Sequence, residues 1–499
     1  MILSKTDYLE YRECKKNAWV KVHKPEIYKQ FPPSDFDQLI MRSGGEVENI
    51  ARGLFPNGVL VNGRDAIAQA TTMSYVHDKQ RVIFQAVFQH GGFLAATDVL
   101  EYDPKTEAYN IYEIKSKSDI DKKTYYHDAT FQAILLKKCG LKINKVFIIH
   151  LNKEYKRYRS LNIESLFTIV DVTEKVEEYS EEVSLEMEFA REYLSQEKLS
   201  KGYCGCIYKG RSGHCTTFTY INQDIPKYSV HDLSRISSKK LLDLIDSGIY
   251  AIEDISDDSK YSAIQQNQIK VQKTGMTAID KAAIARELNS LHFPIYFIDY
   301  ETYAAAIPRH DGHSPYTQIP FQFALYVLDS PEAEPRLLEF IYMDTENPDM
   351  HFVSAMREHI GDEGSIIVWY EPFEATRNKE LAERLPEMKE FLESVNNRIY
   401  DLMDIFAHQH YVDKGFLGKS SIKNVLPIIE PKLSYKELDI QNGGSASEMW
   451  NRLCVDELSE SEREKIALSL KEYCSLDAYA MYAIWKVLYK LVNRGKSQR

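Results

Sequence analysis

A hairpin between residues 93 and 115 is the feature that most constrains how this chain can fold. Two segments rich in β-branched and aromatic residues flank a turn at Asp103-Pro104, and this pattern predicts two antiparallel strands. Because side chains alternate along a strand, Glu113 and Lys115 share one face of the second strand. Asp98 on the first strand can meet them there. The sequence therefore predicts two carboxylates and a lysine converging at one edge of a sheet.

This group of side chains suits metal-dependent hydrolysis of a phosphodiester. The carboxylates would hold Mg²⁺ or Mn²⁺, which lowers the pKa of the attacking water, and the lysine would offset charge on the scissile phosphate. Glu113-Ile-Lys115 alone is also typical of a solvated strand, so the context decides between the two interpretations. A helical run carrying Gln132 follows the hairpin, and cysteines lie on both sides of the whole segment.

With that context, residues 1–220 resemble the RecB-like branch of the PD-(D/E)XK nucleases. The resemblance is strongest to the iron–sulfur exonucleases associated with CRISPR and with the AddAB helicase–nuclease. It implies that Asp98 and Glu113 are metal ligands, Lys115 the catalytic lysine and Gln132 the helix residue of the site. Many members of that group have an upstream histidine after a glycine. Here Glu48 occupies that position in Gly44-Gly-Glu-Val-Glu48, which implies a different metal affinity or preference.

Four of the seven cysteines are candidates for a shared cofactor. Cys14 is expected late in a first helix that Ser4 caps, and three more cysteines lie in a glycine-rich loop. Such a set suits a Cys₄ site that holds the two ends of a domain together. Zinc and a [4Fe–4S] cluster are both compatible with the spacing, and unliganded buried thiols are a third possibility. The four candidates are Cys14, Cys204, Cys206 and Cys215.

The resemblance to the iron–sulfur nucleases implies the [4Fe–4S] cluster, because those proteins also carry one early and three late cysteines. The Cys-x-Cys-x₈-Cys spacing of this chain departs from the tighter spacing expected for them. His214 is expected beside the site rather than as a ligand. The other three cysteines occur singly on apolar or helical runs and are expected to be small core residues. They are Cys139, Cys454 and Cys474.

A second set of acids occurs in the C-terminal half. Asp299 and Glu301 are two residues apart at the end of a hydrophobic strand, so they share one face. A later strand, beginning at Ser365, is expected to end in acids that include Glu374. Tyr473 and Asp477 are four residues apart on a helical run and are therefore expected on one helix face. Each motif alone is compatible with ordinary surface acidity, but their order along the chain favours a common site.

This order of motifs resembles the DEDD 3′–5′ exonucleases, which have an RNase H-like fold. The resemblance implies that four carboxylates hold two metal ions and that Tyr473 positions the attacking water. Glu374 stands where most DEDD enzymes have aspartate, and its extra methylene would displace one metal. Asp401 is a possible substitute, although a structural role is favoured. The four carboxylates implied as ligands are Asp299, Glu301, Glu374 and Asp477.

Three further stretches resemble a bacterial family in which these two nuclease modules are fused. They begin at Pro315, Gly418 and Ser434, and with them the resemblance covers nearly the whole chain. The chain of 499 residues is also too long for a single core. We therefore expect an α/β protein with three parts: a PD-(D/E)XK restriction-endonuclease-like domain at 1–220, a helical connector at 221–290 and an RNase H-like mixed-sheet domain at 291–499.

Composition narrows the class of function. A net charge of −12 and a pI of about 5.7 argue against a nonspecific coat of nucleic acid, but they are compatible with acidic metal sites. The chain has no apolar run long enough to span a membrane, and its N-terminus lacks an apolar signal core. We therefore expect a cytoplasmic, metal-dependent nuclease that acts on DNA from strand ends. The alternatives are a nucleic-acid-binding protein with one degenerate site, or RNA as the substrate of the C-terminal domain.

Overall fold

A computed structural model describes residues 1–33 and 35–493 of the chain. It divides into two compact units. The first is Met1–Asp224 with Ala305–Thr317, and the second is Ile225–Ala304 with Gln318–Arg499. Each unit contains a mixed β-sheet and helices, so the predicted α/β class is confirmed at that level.

The first unit is built on a mixed seven-stranded sheet. Its strands run in the order β2-β3-β4-β5-β6-β7, and β1 pairs with β4 in parallel. The strands are β1 (Leu3–Ser4), β2 (Val59–Leu60), β3 (Val82–His90), β4 (Phe93–Asp103), β5 (Ala108–Lys115), β6 (Ile143–Leu151) and β7 (Phe167–Asp171). The helices are α1 (Lys5–Glu13), α2 (Lys15–His23), α3 (Pro25–Tyr28), α4 (Asp35–Ala51), α5 (Ala66–His77), α6 (Tyr125–Lys138), α7 (Ile163–Leu166), α8 (Thr173–Leu194) and α9 (Phe218–Ile221).

The predicted hairpin is confirmed as the antiparallel pair β4 and β5, with Val99 opposite Tyr112. Both strands are buried on their apolar face, and α6 packs against the sheet through residues such as Phe131. The charged run that begins at Thr173 forms the long helix α8. One stripe of α8, including Val183 and Met187, is fully buried.

The prediction of one continuous first helix through Cys14 is wrong. Ser4 does cap the helix, since its side chain accepts a hydrogen bond from the Asp7 N–H in a capping box. The helix then ends at Glu13, and Cys14 has an extended backbone, with φ −158° and ψ 103°, before α2 begins. This break leaves Cys14 between two helices, at a turn of the chain.

The second unit contains a five-stranded sheet and a two-stranded sheet. The larger sheet has the order β11-β10-β9-β12-β13, and the smaller pairs β14 with β8. The strands are β8 (Ala278–Ile279), β9 (Ile295–Ala304), β10 (Gln318–Leu328), β11 (Arg336–Ile341), β12 (Ser365–Val368), β13 (Ile399–Asp401) and β14 (Tyr411–Val412). The helices are α10 (Ser238–Asp246), α11 (Ala263–Thr274), α12 (Lys281–Asn289), α13 (Asp349–His359), α14 (Glu371–Arg384), α15 (Lys389–Asn397), α16 (Asp404–Ala407), α17 (Ile422–Ile429), α18 (Gly443–Val455) and α19 (Glu460–Asn493).

Strand directions place the acid-bearing strand at the centre of the larger sheet. β9 pairs with β10 in antiparallel orientation and with β12 in parallel orientation, and β12 pairs with β13 in parallel. Helix α19 packs against β9 and β10, and its buried face includes Trp485 and Cys474. Because α19 packs against β9, Asp477 on the helix lies near Asp299 and Glu301 on the strand.

The segment predicted as a connector is part of the second unit. Its helices bury apolar side chains such as Leu241, Ile269 and Ile284. β8 also pairs with β14, and α12 contacts α19. The boundary with the first unit falls at Asp224, four residues after the predicted one. Among residues 1–33 and 35–493, no helix has the length and apolar character that crossing a membrane requires.

Candidate active sites

In the first unit the two hairpin carboxylates lie on neighbouring strands. Asp98 Oδ2 accepts a hydrogen bond from the Ile114 N–H at 2.8 Å, which holds Asp98 beside β5. Glu113 is buried. Burial raises the pKa of Glu113, and the charges of Asp128 and Asp98 raise it further. Burial also raises the pKa of Asp98. A cation bound beside the buried Glu113 and the half-buried Asp98 would stabilise their ionised forms.

Lys115 lies between two carboxylates. Its Nζ donates to Glu113 Oε1 at 2.8 Å and to Asp128 Oδ2 at 2.6 Å. Burial lowers the pKa of Lys115, but the charges of Asp128 and Glu113 outweigh burial and raise it well above its usual value. The ammonium is therefore charged at neutral pH, as a group that stabilises a phosphate must be.

Gln132 joins the helix to this site. Its Nε2 donates to Glu113 Oε2 at 2.6 Å and to Asp128 Oδ1 at 2.9 Å. Its Oε1 is buried and has no hydrogen-bond partner within residues 1–33 and 35–493. An unpaired buried acceptor is costly, and a metal-bound water would satisfy this one. The site therefore has both the carboxylates and the free acceptor that a hydrated divalent cation requires.

Glu48 lies beside the site. Glu48, Asp98 and Glu113 do not together form a compact group of possible metal ligands. Its Oε1 accepts from Arg52 and, at 2.5 Å, from Gln85 Nε2. The same Gln85 Nε2 donates to Asp98 Oδ1 at 3.0 Å. Glu48 therefore reaches Asp98 through an amide and is neutralised by an arginine. This geometry gives it a supporting position and does not show it as a ligand.

Sequence reasoning missed three residues of this site. Asp128 holds Lys115, Gln85 bridges two acids, and Lys5 places a second ammonium 2.6 Å from Glu113 Oε1. Asp128 could have been found, because it lies one helical turn before Gln132 on the same face. Gln85 has φ +53°, a left-handed conformation that is uncommon for a residue other than glycine. No local pattern marks Gln85 or Lys5, since their roles arise from packing between distant segments.

The four candidate cysteines converge in the first unit. Their Sγ atoms all lie within 4.8 Å of one another, and Cys204 Sγ is 4.0 Å from Cys215 Sγ. Contacts among the four thiols lower the pKa of Cys204 and Cys206 and raise that of Cys14 and Cys215, so the four sulfurs interact as one group. Four thiols this close together, with no disulfide among them, fit a metal centre better than four separate core cysteines. His214 lies outside the group, and its Nε2 is 3.1 Å from the Lys209 carbonyl.

Hydrogen bonds to the flanking chain hold the cysteines in place. The Thr217 N–H and hydroxyl both donate to Asn17 Oδ1, at 2.9 and 2.6 Å. Asn222 Nδ2 donates to Cys204 Sγ at 3.3 Å, and the Cys204 N–H donates to Asn222 Oδ1 at 3.1 Å. Lys16 Nζ donates to three carbonyls between residues 200 and 202. The early and late segments of the unit are thus joined around the sulfur atoms.

In the second unit three of the four predicted carboxylates form one group. Asp299, Glu301 and Asp477 each offer an oxygen within 4.8 Å of the other two. Burial raises the pKa of Glu301 to about 8, and the charge of Asp477 contributes. Burial and the charges of Asp477 and Glu301 raise the pKa of Asp299 well above its usual value. β9 supplies two of these acids and α19 supplies the third, as the sequence pattern predicted.

Glu374 lies apart from this group and on a different type of element from the one expected. β12 ends at Val368, Tyr370 has φ +84°, and Glu374 falls in the first turn of α14. Glu374 is buried, and its Oε2 has no hydrogen-bond partner among the described residues. Burial raises its pKa well above the usual value, and its charge also raises the pKa of Asp299. Glu374 therefore adjoins the other acids without completing their compact group.

Asp401 has a structural role in this conformation. Its Oδ1 accepts from the backbone N–H groups of Tyr370 and Met403, both at 3.0 Å, and its Oδ2 accepts from that of Glu371 at 2.8 Å. These bonds fix the turn that leads from β12 into α14. With both oxygens occupied, Asp401 is not placed as a substitute for Glu374.

Two tyrosines and a lysine surround Asp477. Tyr435 donates to Asp477 Oδ1 at 2.5 Å, and Lys423 Nζ lies 3.4 Å from the Tyr473 hydroxyl. The same ammonium lies 5.4 Å from the ring centroids of Tyr435 and Tyr473. Burial and the charge of Asp477 raise the pKa of both tyrosines, so each keeps its hydroxyl proton. Sequence reasoning missed Tyr435 and Lys423, although both lie in stretches that carried the family resemblance.

The other cysteines are not part of the Cys₄ group. Cys474 is fully buried, as expected of a core residue, but its Sγ also lies 3.7 Å from Asp299 Oδ2. Cys139 and Cys454 are half-buried, with their sulfurs near backbone carbonyls. Cys474 therefore forms part of the wall of the second acidic site.

A stretch of the chain is similar to a recognised family. Residues 296–421, which include Asp299, Glu301 and Glu374, match a family described as "Domain of unknown function (DUF2779)". No solved structure matches the chain significantly.

Three similar proteins come from mycoplasmas. The Mycoplasma pneumoniae protein described as "Uncharacterized protein MG366 homolog" is 31% identical over 207 residues, which are 38% of this chain and 31% of that protein. The Ureaplasma parvum "Uncharacterized protein UU173" is 28% identical over 304 residues, 56% of this chain and 42% of that protein. The Mycoplasma genitalium "Uncharacterized protein MG366" is 28% identical over 218 residues, 40% of this chain and 32% of that protein. The chain thus spans less than half the length of each relative.

Proposed function

We propose that the chain is a metal-dependent nuclease that hydrolyses phosphodiester bonds of DNA, with one candidate site in each unit. The observation that carries the proposal is the group formed by the half-buried Asp299 and the buried Glu301 and Asp477, whose oxygens lie within 4.8 Å of one another. Like charges so close together in a buried site are unfavourable unless a proton or a cation joins them. Hard divalent cations prefer such oxygen ligands.

In the second site the residues of the chain have separable roles. Asp299, Glu301 and Asp477 would hold Mg²⁺ or Mn²⁺, and Glu374 adjoins them as a fourth acid. A divalent cation in such a site activates water and stabilises charge on a phosphate. Tyr473, which keeps its proton, can orient a water through its hydroxyl. The acids on the central strand of a mixed sheet and on a long final helix support the proposed RNase H-like fold and DEDD-type 3′–5′ trimming.

In the first site Asp98 and Glu113 would hold the metal, and Lys115 would face the scissile phosphate. The unpaired Oε1 of Gln132 supports a bound water at the same place. The hairpin that carries these residues, followed by the helix with Gln132, supports the proposed PD-(D/E)XK fold. This division of roles resembles the one implied for the RecB-like nucleases.

For the cysteines we propose a Cys₄ metal centre that joins the ends of the first unit. The family resemblance favours a [4Fe–4S] cluster. A single zinc ion with Zn–S bonds of about 2.3 Å has sulfur–sulfur edges of roughly 3.8 Å, and the 4.0 Å between Cys204 and Cys215 is close to that value. A [4Fe–4S] cluster also binds four thiolates, but it holds them farther apart than one zinc ion does, because each thiolate binds a different iron. The distances therefore favour zinc while the resemblance favours the cluster, and metal analysis with a visible spectrum distinguishes them.

The test uses four proteins: the parent, Lys115→Ala, Asp299→Ala and the double variant. Each is incubated with Mn²⁺ and with single- and double-stranded DNA and RNA labelled at one end or the other. We expect Asp299→Ala to remove 3′–5′ trimming and keep the Lys115-dependent cleavage, and Lys115→Ala to do the reverse. The double variant should be inactive. A double variant that cuts DNA at the parental rate would overturn the proposal.

A further inference from the structure

A second lysine occupies the first site, at the start of helix α1. Lys5 Nζ lies 2.6 Å from Glu113 Oε1 and 3.3 Å from Asp128 Oδ1. Lys115 Nζ reaches the same two carboxylates, at 2.8 and 2.6 Å. The two lysine side chains are also equally accessible, with 17% and 18% of their surface exposed. Both side chains are therefore mostly buried, and each keeps a small part of its surface in contact with solvent.

The arrangement of charges is unusual for a purely structural ion pair. Two ammonium groups share Glu113 Oε1, and Asp128 offers one oxygen to each of them. Bringing two ammonium groups together costs free energy, and the two carboxylates that they share offset this cost. Fixed positive charges held this close together are suited to an anion whose charge grows during a reaction.

The backbone holds Lys5 firmly in this position. Leu3 and Ser4 pair with Phe93 and Leu94 of β4, so the chain just before Lys5 belongs to the central sheet. The capping box between Ser4 and Asp7 then fixes the first turn of α1. Such preorganisation is what a charged group needs if it is to act on a transition state without a reorganisation cost.

We propose that Lys5 is a second phosphate-facing lysine of the first site, and that Asp128 orients it together with Lys115. The inference rests on the proposed nuclease function of that site. When the hairpin carboxylates hold a cation, Glu113 no longer needs either lysine as its counter-ion. The two ammonium groups, still held by Asp128, can then contact the non-bridging oxygens of a phosphodiester. Asp128 is a positioning residue in this arrangement, because it contacts the lysines and not the substrate.

A purely structural lysine predicts a different outcome from a catalytic one. If Lys5 only neutralised Glu113 and Asp128, its loss would leave buried acids unpaired, and both stability and metal binding would suffer. If Lys5 faces the phosphate, its loss frees Glu113 for the metal while removing a charge from the reaction. Metal affinity and cleavage rate should then change in opposite directions or independently.

The test uses the full chain carrying Asp299→Ala, so that only the first site can act. Lys5→Met, Lys5→Gln and Lys5→Arg are compared with Lys29→Met, which removes an exposed lysine from the same N-terminal region. Measurements are the cleavage rate of end-labelled DNA at saturating Mn²⁺, the Mn²⁺ affinity by electron paramagnetic resonance, and the melting temperature. Lys5→Gln keeps a hydrogen-bond donor for Glu113 without the charge, and it serves as the neutral variant if Lys5→Met does not fold.

We expect the neutral variants to lose about 100-fold in rate, the typical effect of removing one electrostatic donor. Their Mn²⁺ affinity should be no weaker than that of the parent, Lys5→Arg should recover part of the lost rate, and Lys29→Met should match the parent. A parental rate in the neutral variants would overturn the inference, as would a joint loss of Mn²⁺ affinity and thermal stability. Absence of Lys115-dependent cleavage in the Asp299→Ala parent would instead overturn the proposed function, and this inference with it.

Discussion

The acidic group of the second unit makes a quantitative prediction about pH and metal. Burial and Asp477 raise the pKa of Glu301 from its ordinary value of 4.5 to about 8. A carboxylate whose pKa is higher in the folded state stabilises the fold in full below about pH 4.5. That contribution is lost as the pH rises through about 8. At about 1.36 kcal/mol per pKa unit, the whole shift corresponds to an upper limit of roughly 5 kcal/mol.

The perturbation we propose is Asp477→Asn, which removes the charge that raises the pKa of both Glu301 and Asp299. The amide carbonyl can still accept the Tyr435 hydrogen bond. Without metal, the melting temperature of the parent should fall between pH 5.5 and 8.5, and the fall should be smaller in the variant. If repulsion among these acids destabilises the parent by only about 1 kcal/mol, relieving it would shift the melting temperature by about 2–4 °C in a domain of this size.

Scanning calorimetry in a chelator and then in Mn²⁺ measures both parts of this prediction. Mn²⁺ should restore the stability of the parent at pH 8.5, and it should restore less in Asp477→Asn, because at a fixed metal concentration the stabilisation increases with the logarithm of the affinity. Asp246→Asn, at an exposed position of the same unit, is the control and should keep the parental pH profile. A parent whose metal-free melting temperature is constant from pH 5.5 to 8.5 would refute the reasoning.

Four further outcomes test other parts of the two sites. Anaerobically purified protein should be brown and contain iron, and Cys14→Ala should lose the colour and melt at a lower temperature; a colourless protein with stoichiometric zinc would assign the centre to zinc. Lys115→Ala should keep metal binding but lose about 10²–10³ in cleavage rate, whereas Asp98→Ala should lose both; parental cleavage by both, with the second site inactivated, would make that site structural. Tyr473→Phe should slow trimming without changing Mn²⁺ affinity, and a loss of affinity would instead make the hydroxyl a ligand. Glu374→Asp should raise trimming if the extra methylene holds the carboxylate away from the metal, and an unchanged or lower rate would contradict that explanation.

The parts of the fold that the sequence predicted well depend on local patterns. The β4–β5 hairpin follows from alternation around one turn, and Tyr473 and Asp477 follow from the period of a helix. Each of these relations involves residues close together in the chain, so a short window contains the information. The same holds for Asp299 and Glu301 on β9.

Predictions failed where the backbone departs from a regular pattern without an obvious signal. Neither glycine nor proline marks the end of α1, so the extended conformation of Cys14 could not be anticipated. In the case of Glu374 a signal was present and was overlooked. Pro372 lies in the first turn of α14, a position that proline favours at helix starts, and it indicates that Glu374 is helical.

The segment predicted as a helical connector depends on a different kind of information. It belongs to the second compact unit, and its side chains include the buried Ile269 and Ile284. Contacts between α12 and α19 join residues far apart in the chain. Lys5 and Asp128 meet in the same way, across more than a hundred residues. Long-range packing of this kind is absent from any short window of sequence.

The two sites balance their carboxylates by different means, and this difference bears on how each would bind metal. In the first site, Lys5 and Lys115 already neutralise Glu113 and Asp128 through direct ion pairs. In the second, Asp299, Glu301 and Asp477 crowd together, and hydroxyl groups with the more distant Lys423 surround them. A cation entering the first site must compete with two ammonium groups, whereas one entering the second relieves repulsion directly. We therefore expect the second site to bind Mn²⁺ more tightly than the first. The cleavage rate at the first site should depend more on its two lysines than on its affinity for metal.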